Sequence, residues 1–125
     1  MPTKSSPRRI ELSAGKVTML AELNDSETAH RIWEALPIRG KGQVWGDEIY
    51  FAIPVKMPEQ DGQRTVPSGT LAYWPPGHAF CIFFGQTPYS AVNVVGKLLG
   101  TPEDWKKVKD GTEVTIEKAP EQERA

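Results

Sequence analysis

Ile10 and Leu12 alternate with polar neighbours, and Val17, Met19, Ala21 and Leu23 continue the period of two that a half-buried strand shows. Ala14-Gly15 between the two runs reads as a hairpin turn. The period then changes. Ala29, Ile32, Trp33 and Leu36 fall at i, i+3, i+4 and i+7 behind a capping-box pair, Asn24 and Glu27, which predicts a helix over about residues 25–36 that Pro37 ends.

Strands return at Val44. Gly46-Asp47 suits a two-residue hairpin turn, and Ile49, Phe51 and Ile53 alternate against Glu48, Tyr50 and Ala52 until Pro54. Residues 55–69 carry little apolar material and read as a long surface loop. Two apolar runs follow, residues 71–74 and 79–84, joined by Pro75-Pro76-Gly77-His78; their aromatic content favours a central hairpin. Another strand is expected over residues 92–99. Thr101-Pro102-Glu103-Asp104 opens a short helix over about residues 102–109, with a cap, a first-position proline and acids in the first turn. A last strand, residues 112–118, places Val114 and Ile116 on one face. This order of elements fits a mostly β barrel or sandwich and not a parallel βαβ sheet.

At 125 residues the chain is the size of one domain, expected over residues 8–119, with flexible tails at 1–7 and 120–125. No apolar stretch approaches the roughly 20 residues of a membrane-spanning helix, so a membrane is not an expected partner. A net charge of -1 gives no field that would gather nucleic acid. The positive N-terminus lacks the apolar region of a secretory signal, and Cys81 is the single cysteine, so a cytoplasmic location is the default expectation. Oligomeric state is left open.

The segments Val44-Trp45-Gly46-Asp47-Glu48-Ile49-Tyr50-Phe51-Ala52-Ile53-Pro54-Val55 and Gly69-Thr70-Leu71-Ala72-Tyr73-Trp74-Pro75-Pro76-Gly77, followed by Ala79-Phe80-Cys81-Ile82-Phe83-Phe84-Gly85-Gln86-Thr87-Pro88, carry a resemblance. The chain resembles the small cyclophilin-like proteins of bacteria and archaea, a family largely of unknown function. The resemblance implies a closed eight-stranded cyclophilin-type β barrel flanked by helices. It also implies where an isomerase site would lie: true cyclophilins set an arginine on a barrel strand beside an apolar proline pocket. The matching strand here, residues 48–53, has no arginine, and neither Arg39 nor Arg64 occupies a matching position. Phe83 and Phe84 resemble the paired phenylalanines of the pocket strand, and Val95-Gly96-Lys97 resembles the strand that follows.

The candidate ligand-binding residues are Glu48, Tyr50, Tyr73, Trp74, Phe80 and Phe83, with Gln86 and Thr87 at the barrel rim. Aromatic faces offer large contact area at little entropic cost, although core packing is the commoner use of any one of them. Alternation sets Phe80, Ile82 and Phe84 on one face and Ala79, Cys81 and Phe83 on the other, so only one set can line the inside. Trp74, beside the Pro-Pro-Gly turn, is the favoured contact. Asp47 reads as a turn residue, and Glu48 as a carboxylate able to project beside Tyr50. His78 and Cys81 face opposite sides of one strand, with only His30 to supplement them, so no metal site is expected. Cys81 reads as a buried inert thiol, and Gly40-Lys41-Gly42 lacks the spacing of a phosphate loop. Trp33 and Trp105 are expected to dock their helices on the barrel.

No catalytic residue and no cofactor is assigned. The expected function is a binding module whose aromatic groove holds a peptide segment or a small apolar ligand. The alternatives are a weak prolyl isomerase and an assembly protein whose groove receives a partner chain.

Overall fold

The computed structural model describes residues 8–85 and 90–120 of the chain. The expected tails, Pro120 apart, and the rim residues Gln86 and Thr87 lie outside the described residues. Alternation is expressed first in β1 (Arg8–Ala14) and β2 (Val17–Leu23), which pair from Arg8↔Leu23 to Ala14↔Val17 around a two-residue turn. Gly15 supplies the turn with φ +61°, a conformation that costs a glycine little. Ile10, Leu12 and Ala14 are buried with Met19, Ala21 and Leu23, so the hairpin presents one apolar face inward.

Helix α1 (Glu27–Ala35) forms where the period of 3.6 predicts it, but Ser26 is its cap. The Ser26 hydroxyl accepts the Ala29 N–H at 3.1 Å. Asn24, expected in that role, instead accepts the Ser26 N–H and donates its amide to the Val94 carbonyl. A side chain that holds a neighbouring strand cannot also cap the first turn. Thr28, Ala29 and Ile32 face the barrel. Trp33 is half-buried, with the Lys118 ammonium 4.7 Å from its ring centre.

The remaining elements are β3 (Ile38–Lys41), β4 (Gln43–Trp45), β5 (Glu48–Ala52), β6 (Thr70–Trp74), a 3-10 turn at Pro75–Gly77, β7 (Ala79–Phe83), β8 (Asn93–Leu98), a 3-10 helix at Pro102–Lys107 and β9 (Glu113–Lys118). All nine strands join one antiparallel sheet in the order β3-β9-β1-β2-β8-β6-β7-β5-β4. The sheet curls into a nearly closed barrel. The described residues form nine strands where eight were expected, because residues 38–45 follow one path that breaks at Gly42. Gly42 donates to Thr112 O and accepts from Gly111 N–H, and a Cβ there would lie 3.0 Å from Val114 and 3.1 Å from Ile49. Its β3 half pairs with β9 and its β4 half with β5, so one bent stretch brings the two ends of the sheet together. One seam stays open, between β3 and the end of β5, where Gly40 lies against the Phe51 ring. The composition of β3, a glycine between two cations, hides the strand from a reading by pattern.

Residues 53–69 correct a second expectation. The segment has no regular structure, yet Ile53, Val55, Met57 and Val66 are all buried. Tyr73, itself in the barrel interior, accepts the Met57 N–H at 3.2 Å and donates to the Val55 carbonyl at 2.5 Å. Asn93 ties the next stretch: its carbonyl accepts the Gln60 N–H, and its amide donates to Pro58 O and Thr28 Oγ. Gln63 and Val92 then exchange two backbone hydrogen bonds. Buried backbone groups that would otherwise go unpaired are satisfied by these straps.

The 3-10 helix stops at Lys107, short of 109, and Thr101 makes no side-chain capping bond. Trp105 is fully buried, with its indole N–H 3.4 Å from Met19 Sδ, and it docks that helix on the hairpin.

Candidate functional site

Strands β5, β7 and β6 lie side by side, with Ile49↔Ile82 and Leu71↔Ile82 in register. Directly paired residues share a face, so the register divides the three strands into two aromatic layers. Phe51, Tyr73, Phe80 and Ile82 belong to the main core inside the barrel, as does Phe84 just beyond β7. Phe51 and Phe80 meet there with ring centres 5.8 Å apart. Tyr73 and Phe80 are fully buried in this layer. The structure therefore does not bring them together with the other candidate ligand residues.

The outer layer holds the rest. Across the strands run Trp45, Glu48, Phe83 and Thr70; then Gln43, Tyr50, Cys81 and Ala72; then Ala52, Ala79 and Trp74. Val66, Ala72, Cys81, Phe83 and Val92 form a second, smaller core, against which Tyr50, Trp74 and Val94 pack. Small side chains at Ala72, Ala79 and Cys81 leave room for two rings to meet above them. Tyr50 and Trp74 do so edge to face, 6.4 Å between centres and 73° between planes. Both stay partly exposed, whereas Phe83 beneath them is fully buried. The Trp74 indole N–H donates to Ser90 Oγ at 2.7 Å, and its six-membered ring lies against Gly77. Trp74 is thus fixed at both ends.

Glu48 is the polar residue of this layer. Only 9% of it is exposed, and its carboxylate neighbours the Cys81 thiol, whose own donor contact runs to the Ala79 carbonyl at 3.9 Å. Burial raises the Glu48 carboxyl above its ordinary range, and the neighbouring thiol offsets part of that rise. The Cys81 thiol is pushed well above its own usual range, first by burial and then by the neighbouring carboxylate. A thiol so held is protonated and a poor nucleophile. The Glu48–Cys81 contact was missed in the sequence because it runs diagonally between strands whose register no single-strand pattern fixes.

The other candidates lie apart. Asp47 sits in the Gly46-Asp47 turn, where its carbonyl accepts the Phe84 N–H. His30 is exposed on α1 and contacts Glu34 and Arg8, and His78 closes the Pro75–Gly77 turn in a left-handed conformation. No group of three metal-ligating side chains forms among the described residues. Arg39 points outward from β3, paired with Thr115. Arg64 lines a cleft of about 430 Å³ with Met57, Pro58, Pro75, Pro76 and Ser90. That cleft adjoins the aromatic face through Ser90, the Trp74 partner. No described helix is long and apolar enough to cross a membrane.

Among known structures, the chain is similar to the solution structure of the hypothetical protein AF2241 from Archaeoglobus fulgidus: 34% identity, 95% of this chain and all of that one covered, TM-score 0.77. It shares its fold with McbB, solved in complex with tryptophan, at 19% identity and TM-score 0.67; the match covers 93% of this chain and 46% of McbB. No functionally curated protein matches the sequence. The family model described as cyclophilin-like matches residues 8–117, nearly the whole barrel. With that match and the barrel itself, the chain belongs to the cyclophilin-like family.

Proposed function

We propose that this domain is a binding module whose ligand, a peptide segment or a small apolar molecule, docks on the outer aromatic face against Tyr50 and Trp74. The observation that carries this reading is the pair of partly exposed rings, held edge to face over a floor of small side chains and anchored at Ser90. An isolated surface Trp needs no such support. Rigid aromatic walls that lose little entropy on contact are what a recognition surface uses. McbB, of the same fold, was solved with tryptophan, a ligand of fitting size and character for such a face. Of the candidate residues, Tyr50 and Trp74 make the contact, Phe83 and Glu48 form its base, and Tyr73 and Phe80 support it from the other side of the sheet.

Titration with proline-containing peptides and a library of small aromatic compounds, read by Trp fluorescence and amide chemical shifts, tests the reading. Shifts centred on residues 48–50, 72–74 and 79–83 support it. Unmoved spectra across the whole set overturn it.

A second reading, weak prolyl isomerase activity, is favoured by one observation: Arg64 lines the cleft that adjoins Trp74 through Ser90, although β5 carries no arginine. Uncatalysed X-Pro exchange takes on the order of tens of seconds or longer, so modest catalysis is visible by exchange NMR. Acceleration lost in Arg64→Ala and kept in Arg39→Ala supports isomerase activity. No acceleration at high protein concentration removes it.

A further inference from the structure

Glu48 is the residue that apolar binding leaves unexplained. By register it stands between Trp45 on β4 and Phe83 on β7, two residues from Tyr50 along β5 and on the same face. It is nine-tenths buried. Among the described residues, no Lys, Arg or His forms an ion pair with it. Lys97 lies on the same outer row, paired with Thr70, but β8 is three strands from β5, roughly 14 Å at the usual spacing between strands. A carboxylate in such a place, with a thiol and no cation beside it, pays desolvation without recovering it from a counter-charge. An apolar side chain of similar size would fill the same volume at lower cost.

The surroundings match the chemistry of one ligand class. Aromatic faces attract organic cations through their quadrupole, and a carboxylate at the base of an aromatic surface adds a full counter-charge. We infer that the outer face selects ligands carrying an organic ammonium group, with Glu48 as the counter-ion, Tyr50 as the aromatic wall beside it and Trp74 extending that wall from the far side of Tyr50. The inference rests on the binding reading above and narrows it. A neutral ligand gains only the aromatic contact, and a carboxylate ligand meets like charge. In the free protein burial raises the Glu48 carboxyl. A bound ammonium opposes that rise, so Glu48 becomes a stronger acid in the complex. Among the described residues, the titratable groups near Glu48 are Asp47 in the turn before it, Tyr50 on its own strand and Cys81 on β7; Lys97 lies farther along the row, past Thr70.

Three isosteric probes test this: phenethylamine, 2-phenylethanol and 3-phenylpropionate, titrated into the full chain and into Glu48→Gln by Trp fluorescence and amide shifts. The expected result for the wild type is an amine at least about tenfold tighter than the alcohol, a difference of about 1.4 kcal/mol, with the acid weakest. In Glu48→Gln the preference for the amine disappears and the alcohol binds as before. Equal affinity for amine and alcohol in the wild type overturns the ammonium inference and leaves the aromatic site standing. If no probe moves either signal, the binding reading falls with it. A carbon-detected titration of the Glu48 carboxyl in the wild type needs no variant: saturating amine should lower its pKa, and an unchanged value overturns the inference.

Discussion

The inner and outer layers of β5, β7 and β6 are built from the same strands, often from adjacent residues, and they solve different problems. Inside, Phe51, Tyr73, Phe80 and Ile82 meet the rest of the barrel core, and the one polar atom among them, the Tyr73 hydroxyl, both donates and accepts a hydrogen bond to the backbone of residues 55 and 57. Outside, Phe83 and Cys81 are as deeply buried, but the layer ends in two partly exposed rings and a carboxylate whose neighbour is a thiol. The inner layer is finished; the outer one has chemistry left over. A closed core is evidence about stability, and a layer that ends in partly exposed rings beside a carboxylate is evidence about binding.

The comparison breaks most visibly at Phe80. Truncation to alanine removes a fully buried ring from the main core and should cost about 3–5 kcal/mol in denaturant unfolding. A loss below about 1 kcal/mol would mean that the inner layer is not the stabilising one. Tyr73→Phe probes the same layer more gently. It leaves the Met57 N–H and Val55 carbonyl unpaired and should cost about 1–3 kcal/mol, with faster hydrogen exchange at Met57.

The outer layer should respond with the opposite sign. The folded state holds Glu48 above the ordinary carboxyl range, so it binds the proton more tightly than the unfolded chain does. The protonated form carries no penalty below the unfolded value, and stability falls as pH rises through the folded one. Glu48→Gln should therefore stabilise by on the order of 1 kcal/mol at pH 7, and the gain should vanish below about pH 4. A loss at neutral pH would show that the carboxylate is already compensated. The smallest effect is expected for Trp74→Phe, which keeps most of the ring and loses the bond to Ser90, at about 1 kcal/mol or less. Its ligand response should change far more than its melting temperature.

Much of this was legible in the chain itself. Period-two alternation and Gly15 define the first hairpin, and the same alternation separates Phe80, Ile82 and Phe84 from Cys81 and Phe83. That rule also says that Phe80 and Phe83 cannot line one groove, and that Tyr73 and Trp74, being neighbours, point apart. Which layer faces inward is a property of the closed sheet, so both sets stood as candidates until the register was known. Other features depend on partners far away in sequence. Ser26 caps α1 because Asn24 is held by Val94, seventy residues on. Ile53, Val55 and Met57 are buried where Tyr73 and Asn93 tie down the backbone of their segment. The Glu48–Cys81 contact needs two strands in a fixed offset.

The open seam has a consequence for how this protein behaves in a crowd. A long unpaired strand edge is a template for another chain, and barrels avoid the hazard by closing. Here the break at Gly42 limits β3 to four residues, Ile38–Lys41, and two of them are the cations Arg39 and Lys41. A straight strand through residue 45 would present twice that length. Removing the charges at 39 and 41, with the fold unchanged, should therefore show first as aggregation on storage.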